Sequence, residues 1–429
     1  MDRSSLIACH DCDLLQRETV LAPGGIACCR RCRAELYRSY PGGTARPLAF
    51  AIAAAIFFAI ANLFPILGLK VNGNIVQTTL SGAVWLLYRD GMWPLSGLVF
   101  ITTILTPLTE ILAVLYLLIP LYLRRTPPWP RLAFRVLLLA RPWSMTEVLI
   151  LGVLVALVKL AHLASVVPGV GLWTFGAAMM SLAAMAAAFD PRIVWASRHH
   201  PLARNGDNGG DGVPALRGAS RLSAPTAARA GICVCHGCGQ LSVLPPHAHA
   251  GDCPRCGARV HLRKPDSIPR TWALLSAAMI LYVPANLLPV MNTRSLFGSQ
   301  NDTIMSGVVY LWVSGSWPLA IVVFIASVAV PMLKILALMF LVVTAQMHNA
   351  GMSLRCTRIY RMLEFVGPWS MLDIYVITIL VALVQFSSLA TIKAGPAAIA
   401  FGAVVVLTML AARAFDPRLL WDAEEKRHA

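Results

Sequence analysis

The chain has 429 residues, of which 57% are hydrophobic and only 13% charged, and its formal net charge is +16. Soluble domains carry about 25% charged residues, so the composition excludes an ordinary water-facing globule and points to a bilayer as solvent. A charge-poor chain with a basic excess gathers its cations in loops, which in membrane proteins lie on the cytoplasmic side.

In chain order, the opening stretch MDRSSLIACHDCDLLQRE is polar and has no apolar secretory core, so the N-terminus is expected to remain in the cytoplasm. An apolar run needs about 20 residues to cross a bilayer. Runs of that kind fall at 47–68, 95–123, 144–166 and 170–189, and again at 271–291, 317–345, 370–391 and 396–415. Between the two sets, a stretch rich in Gly, Ala, Ser, Pro and Arg reads as a flexible linker. The basic segments RRTPPWPRLAFR (124–135) and RCTRIYR (355–361) read as cytoplasmic loops. The opposite side carries only Lys70, Arg89, Asp90, Arg294, Asp302 and Lys393, so both termini and the linker are expected in the cytoplasm. Residues 76–95 and 301–319 are too polar for spans. Their Trp and Tyr content suits amphipathic helices in the outer interface.

The two sets of runs repeat one another. ANLFP (61–65) answers ANLLP (285–289), GMWPL (91–95) answers GSWPL (315–319), and PWSMTEVLI (142–150) answers PWSMLDIYV (368–376). AFDPRIVW (188–195) returns as AFDPRLLW (414–421), and the offset drifts from 224 to 226 residues. The chain is a duplicated module. With four spans per copy both copies enter and leave on the same side, as parallel repeats about an axis along the membrane normal. Such repeats either frame a path between them or serve stability alone.

The repeat extends to the cysteines. Cys9, Cys12, Cys29 and Cys32 precede the first module, and Cys235, Cys238, Cys253 and Cys256 the second. Paired CxxC knuckles at this spacing close a tetrahedral four-cysteine site, so two structural Zn²⁺ ions are expected. A redox dithiol pair and a rubredoxin-like iron are the alternatives. Cys28, Cys233 and Cys356 are left over. Arg30, Arg31 and Arg33 surround the first set, but anionic lipid beside a tethered ribbon accounts for them, so no nucleic-acid partner is expected. The resulting division is a ribbon at 1–40, a transmembrane module at 47–195, a linker at 196–230, a second ribbon at 231–265, a second module at 270–421 and a tail at 422–429.

Ionisable residues inside spans cost about 2.5–3.5 kcal/mol each on insertion, which marks them as functional candidates. Lys334 stands where the first copy has Glu110, Asp373 where it has Glu147, Gln385 where it has Lys159, and Thr408 where it has Leu182. Lys334 and Asp373 are expected to pair, either as a proton-exchanging couple or as a static ion pair. Glu110 and Lys159 are expected to form a comparable structural pair in the first half. Asn62 and Asn286 are expected to link helices through their amides.

Ribbon, module and duplication together resemble the paraquat-inducible protein A family of bacterial inner-membrane proteins, with the branch named lipophilic envelope-spanning tunnel protein A nearest in pattern. The resemblance implies an all-α polytopic fold of two tandem four-helix modules in tetraspanin-like layout, each preceded by a cytoplasmic zinc ribbon. It further implies lipid movement between the inner membrane and a periplasmic MCE-domain tunnel partner, with a polar cluster mapping onto Lys334, Asp373 and Thr408. No Walker A motif is present, so proton coupling through Lys334 and Asp373 is the expected drive. A membrane-anchored zinc or redox sensor, or a scaffold, is the alternative. No nucleophile–base constellation or open metal site suggests an enzyme.

Overall fold

The computed structural model describes residues 6–39, 43–71, 74–144, 146–161, 165–196, 226–244, 250–295, 298–315, 317–347, 352–383, 385–386 and 390–422. It is mostly helical, and eight helices are long and apolar enough to cross a membrane.

The chain opens with two short hairpins, β1 (Leu6–Ala8) with β2 (Leu15–Arg17) and β3 (Ile26–Cys28) with β4 (Glu35–Arg38). The first module follows as α1 (Ala45–Leu63), the hairpin β5 (Leu67–Val71)–β6 (Asn74–Thr78), α2 (Leu80–Arg89), α3 (Trp93–Phe100), α4 (Thr106–Tyr122), α5 (Pro130–Ala140), α6 (Thr146–Ala161), β7 (Ser165–Pro168), α7 (Val170–Ala188) and α8 (Pro191–Ala196). Two more hairpins, β8 (Ile232–Val234) with β9 (Leu241–Val243) and β10 (Ala250–Asp252) with β11 (Arg259–His261), form the second ribbon. The second module repeats the first as α9 (Ser267–Leu287), β12 (Met291–Ser295), β13 (Gly298–Asp302), α10 (Ile304–Val313), α11 (Trp317–Phe324), α12 (Val330–Gln346), α13 (Ser353–Val366), α14 (Leu372–Leu383), β14 (Gln385–Phe386), β15 (Ala390–Ala394) and α15 (Pro396–Ala414).

Two features depart from the expected layout. The basic segments read as loops are helical over 130–135 and 355–361, while 124–129 is a loop. α5 buries Pro130, Phe134, Leu137 and Ala140, and α13 buries Ser353, Cys356, Thr357, Tyr360 and Leu363. That three-to-four spacing is one apolar stripe, with the arginines on the other faces. The third and seventh spans therefore start earlier, at Pro130 and Ser353. Second, the fold is not purely helical. At the end away from the ribbons each module carries an antiparallel sheet, ordered β6-β5-β7 and β13-β12-β15-β14. Lys70, Arg294, Asp302 and Lys393 stand on these strands. The segment 76–95 resolves into the end of β6, α2 and the start of α3, and 301–319 into the matching elements. Thr79 caps α2 by accepting from Gly82 N at 3.1 Å, and Thr303 with Ser306 forms a capping box on α10.

The linker at 196–230 lies mostly outside the described residues. Its last residues are packed, with Thr226 bridged to Leu14 and Ala227 buried among Ala8, Ile232 and Val234.

Within each module the first and last helices lie side by side, α1 on α7 and α9 on α15. Pro65 and Pro289 end the first helices, and the carbonyls there are taken up by the last ones. Gly171 N donates to Pro65 O at 3.0 Å, and Gly169 N to Ile66 O at 3.0 Å. Ala397 N donates to Pro289 O at 3.3 Å, and Gly395 N to Val290 O at 2.7 Å. Among the described residues Asn62 and Asn286 do not link helices: each amide donates to its own helix, to Phe58 O at 2.8 Å and Tyr282 O at 2.9 Å. A π-helical turn interrupts the second span of each copy, at Ile101–Leu105 and Ile325–Ala329. Within it Thr103 and Ser327 donate to the carbonyls four residues back, at 2.7 and 2.6 Å. The modules meet where α14 lies on α6 and α2, and the buried Tyr375 hydroxyl donates to Thr102 Oγ1 at 3.1 Å.

A Cβ on Gly169 or Gly395 would collide with the carbonyl oxygen of Pro65 or Pro289. We expect Gly169→Ala and Gly395→Ala each to cost about 1–3 kcal/mol, read as a lower thermal midpoint in detergent. Gly97→Ala, where a Cβ meets open space within α3, is the control and stays within about 1 kcal/mol of the parent.

Candidate functional site: paired four-cysteine centres and a buried lysine

Each ribbon is built from two knuckles, one per hairpin, and every knuckle turns the same way. Cys9 N donates to Leu14 O at 3.0 Å and Asp13 N to Cys9 O at 3.0 Å, and the other three repeat this pattern. The residue after each second cysteine is left-handed: Asp13, Arg33, Gly239 and Gly257, with φ of 62°, 60°, 71° and 66°. Non-glycine residues in that region are strained, so the first ribbon needs holding. Asp13 is held, because its carboxylate accepts from Ala228 N at 3.0 Å and from Arg263 at 2.9 Å.

These turns gather Cys9, Cys12, Cys29 and Cys32 into one cluster and Cys235, Cys238, Cys253 and Cys256 into another, with all Sγ atoms of a cluster within 4.8 Å of one another. The shortest separations are 3.4 Å for Cys9–Cys32 and Cys235–Cys256. A tetrahedral thiolate site with metal–sulfur bonds of about 2.3 Å has sulfurs about 3.8 Å apart, so both clusters fit a metal ion. Their burial calls for one, because all eight clustered cysteines are shielded from water. Four thiolates share such a pocket only beside a cation. Cys28 is exposed on β3, whereas Cys233 and Cys356 are buried and belong to neither cluster.

The ribbons dock crosswise. Arg361 of α13, in the second module, reaches the first ribbon. Its Nε donates to Asp11 Oδ2 at 2.6 Å, and its terminal nitrogens to Cys32 O at 3.1 Å and Cys32 Sγ at 3.2 Å. Arg31 stacks over Trp421, 4.4 Å from the ring centre. The second ribbon packs instead on α5, with the Arg131 guanidinium donating to Pro254 O at 3.1 Å. Arg135, which matches Arg361 in the repeat, lies against Gly257. An open cleft of about 280 Å³ separates the ribbons beside the end of α7, lined in part by Tyr37, Asp190, Arg192 and His236.

The duplicated DPR phrase has a defined task. Asp416 and Arg418 are both buried and form a fork-to-carboxylate pair, with Arg418 Nε and Nη2 each 2.9 Å from a carboxylate oxygen. Asp416 Oδ2 also accepts from Lys264 N at 2.9 Å, which ties the second ribbon's exit to the end of α15. In the first copy the arginine turns outward: Arg192 pairs with Glu18 at 2.6 Å and stacks over Tyr37 at 4.6 Å.

Within the spans, Lys334 on α12 is 2% exposed. It does not snorkel. Its Nζ donates to Gly367 O at 3.2 Å and to Ser370 Oγ at 3.0 Å, and Ser370 Oγ donates to Gly367 O at 2.9 Å. Both partners belong to the 3-10 turn Gly367–Met371 that opens α14. In the first copy Glu110 is also buried, with Arg141 Nε 3.9 Å from its carboxylate and the Ser144 side chain beside it. Thr408 is buried on α15 and donates to Val405 O at 2.9 Å. Asp373 stands on α14, and Glu147 and Lys159 on α6, but their side chains lie outside the described residues. The pairings Lys334–Asp373 and Glu110–Lys159 lie there too. Sequence reasoning missed Ser370, Gly367, Arg141 and Arg361. The first three sit in or beside the repeated PWSM phrase, which was a sufficient signal. Arg361 had none.

Burial pushes the Asp416 carboxyl up, but the Arg418 guanidinium overrides it and holds the group below the usual carboxylate range. With the folded value lowered, the pair's stabilisation is complete above the ordinary aspartate value of about 3.9 and is lost as pH falls through the folded value. Arg418→Ala is expected to cost about 3–5 kcal/mol at neutral pH, measured by thermal unfolding, and the gap to the parent should narrow below about pH 4.

Comparison with known proteins agrees with the duplicated architecture. The family model described as Paraquat-inducible protein A matches twice, over residues 44–199 and 268–425. Intermembrane transport protein PqiA of Escherichia coli K12 is 34% identical over 429 residues, covering 98% of this chain and 97% of the relative. Lipophilic envelope-spanning tunnel protein A of the same organism is 30% identical, covering 100% and 94%. A probable intermembrane transport protein of Haemophilus influenzae is 26% identical over 97% and 95%. No solved structure matches. Twofold coverage of both modules, together with these full-length likenesses, means that the chain belongs to the paraquat-inducible protein A family.

Proposed function

We propose that this protein is a bacterial inner-membrane component that moves lipid between its own membrane and a periplasmic MCE-domain tunnel partner, with the second module as the working half. The names of its relatives, an intermembrane transport protein and an envelope-spanning tunnel protein, support the class of function. The observation that carries the reading is Lys334, an ammonium-bearing side chain buried inside a span on neutral acceptors alone among the described residues. An insertion cost of about 2.5–3.5 kcal/mol is retained where the charge has work to do. Lys334, Asp373 and Thr408 are assigned to a polar network that exchanges protons as lipid moves. Glu110, Glu147 and Lys159 are its counterparts in the first module. No chemical step on the lipid is part of this reading, so the protein is not an enzyme.

In the same proposal each four-span module has a tetraspanin-like layout, and both ribbons and both termini face the cytoplasm. The repeat of four spans and the concentration of arginines at the ribbon end support that orientation. Zinc is the metal assigned to the two four-cysteine sites. A closed shell of four thiolates leaves no position for catalysis, so the ion holds the knuckles folded. A second reading, a metal or redox sensor, has one observation in its favour: the Arg361–Cys32 sulfur contact links the first centre directly to a membrane helix.

Lys334→Ala and Asp373→Ala should each lower lipid transfer in cells by about tenfold or more at unchanged expression. Normal transfer in both variants would sink the mechanism. Metal analysis of the purified chain should find two zinc ions, and Cys253→Ser should lose one of them together with thermal stability. A Cys32→Ser variant that keeps its fold and transfer, but no longer responds to zinc or oxidant, would favour the sensor.

A further inference from the structure

The two ribbons differ at three matched knuckle positions. Asp11, Asp13 and Arg33 of the first stand where the second has Gly237, Gly239 and Gly257. Gly239 and Gly257 take the left-handed turn freely, whereas Asp13 and Arg33 are strained in it. Both strained knuckles are held from outside. Ala228 N and Arg263 hold the first one through the Asp13 carboxylate. The second is gripped by the other module at the residue before Arg33: Arg361 donates to Cys32 O at 3.1 Å and to Cys32 Sγ at 3.2 Å. The same guanidinium donates through Nε to Asp11 Oδ2 at 2.6 Å, and His10 Nε2 lies 3.4 Å from the other oxygen. One side chain of α13 thus spans both knuckles of the first centre.

The second centre is seated differently. Arg135, the counterpart of Arg361, lies over Gly257 where a side chain would stand, and among the described residues it donates to no sulfur of that cluster. Gly237, in the place of Asp11, packs on Leu138 and Phe134 of α5. The matching positions of α13 carry Glu364 and Tyr360. At this knuckle the second ribbon therefore meets hydrocarbon, and the first meets a cation. A divalent ion held by four thiolates leaves about two net negative charges on the centre. Hydrogen bonds to a charged acceptor are roughly twice as strong as those to a neutral one. The guanidinium gains from a loaded centre, and the side chains of Leu138 and Phe134 do not.

We propose that Arg361 is a positioning residue of the first metal centre, so that metal in that centre and the seating of its ribbon on the second module stabilise one another, whereas the second centre holds its metal independently of its seat. The proposal rests on the metal assignment given above and not on the movement of lipid. Coupling of this kind is reciprocal: by whatever factor the seat tightens the metal, the metal tightens the seat. The helix that does the gripping leads to the buried lysine. α13 runs on into the turn Gly367–Met371, where Gly367 O and Ser370 Oγ accept from Lys334 Nζ. Six residues separate Arg361 from Gly367, about 9 Å along a helix.

The test uses the full chain in nanodiscs, loaded with zinc. Zinc release to a chromogenic chelator is followed together with hydrogen–deuterium exchange, which reads each ribbon and helix separately. Arg361→Met keeps the aliphatic stem and removes the charge. It should speed zinc loss from the first ribbon about tenfold or more and leave the second ribbon as in the parent. Arg361→Lys restores a cation without the fork and should recover part of that loss. Arg135→Met should leave both centres as in the parent. Stripping zinc from the parent should raise exchange across α13 but not across α5, and in Arg361→Met α13 should exchange fast with or without zinc. Parent-like zinc retention by the first ribbon of Arg361→Met overturns the proposal. So does a loss that Arg361→Lys fails to relieve, which marks a packing role rather than one of charge. Equal protection of α13 in the loaded and stripped parent also overturns it, and that arm decides even where Arg361→Met does not fold. A parent that takes up no zinc removes the metal assignment itself. A parent that binds two ions while Arg361→Met keeps both removes only the role of Arg361.

Discussion

A positive charge that cannot reach water sets the terms for the second module. Lys334 has a side chain long enough to snorkel, but α12 is packed so that it does not. Its Nζ instead meets a hydroxyl and a carbonyl of one turn, and that turn therefore has to stand in a fixed place. The placement is secured from both ends. Behind the turn, α13 is anchored through Arg361 to the first ribbon. Ahead of it, α14 lies against α6 and α2, with Tyr375 bonded to Thr102 in the π-helical turn of the other copy. Ribbon, turn and module interface are thus one continuous support for a single ammonium.

The buried charge at the ribbon end follows a different rule. Asp416 and Arg418 satisfy one another with two fork bonds, and the backbone N–H of Lys264 occupies a further lone pair of the carboxylate. A closed pair of this kind is expensive to break and has little capacity to respond. It suits a joint between the ribbon exit and the last helix. The contrast with Lys334, which sits on neutral acceptors among the described residues, separates a fastening from a candidate working group within the same copy.

Much of this was legible in the residues. CxxC spacing pointed to the eight cysteines that cluster, with Cys29 taken over Cys28 because it keeps that spacing. Eight apolar runs became eight candidate spans. The sheets were not legible, because short strands such as LGLKV and ATIKA run on from or into apolar helices and are too brief for a period of two to stand out. α5 and α13 were hidden by their arginines, which read as loop charge until the apolar stripe is traced beneath them. The crosswise docking had no local signal at all. Contacts between residues 329 apart, such as Arg361 with Cys32, depend on tertiary placement that no window along the chain contains.

That exchange of ribbons has a bearing on how such a chain is put together. Each four-cysteine unit is covalently joined to one bundle and seated on its twin, so neither half holds its full set of neighbours by itself. A one-module version could rebuild the same contacts only as a symmetric pair of molecules trading their N-terminal units. Fusion of the two copies turns that reciprocal trade into an intramolecular one. In the fused chain one copy holds its buried acid beside an arginine, while the other holds its buried lysine on a hydroxyl and a carbonyl among the described residues.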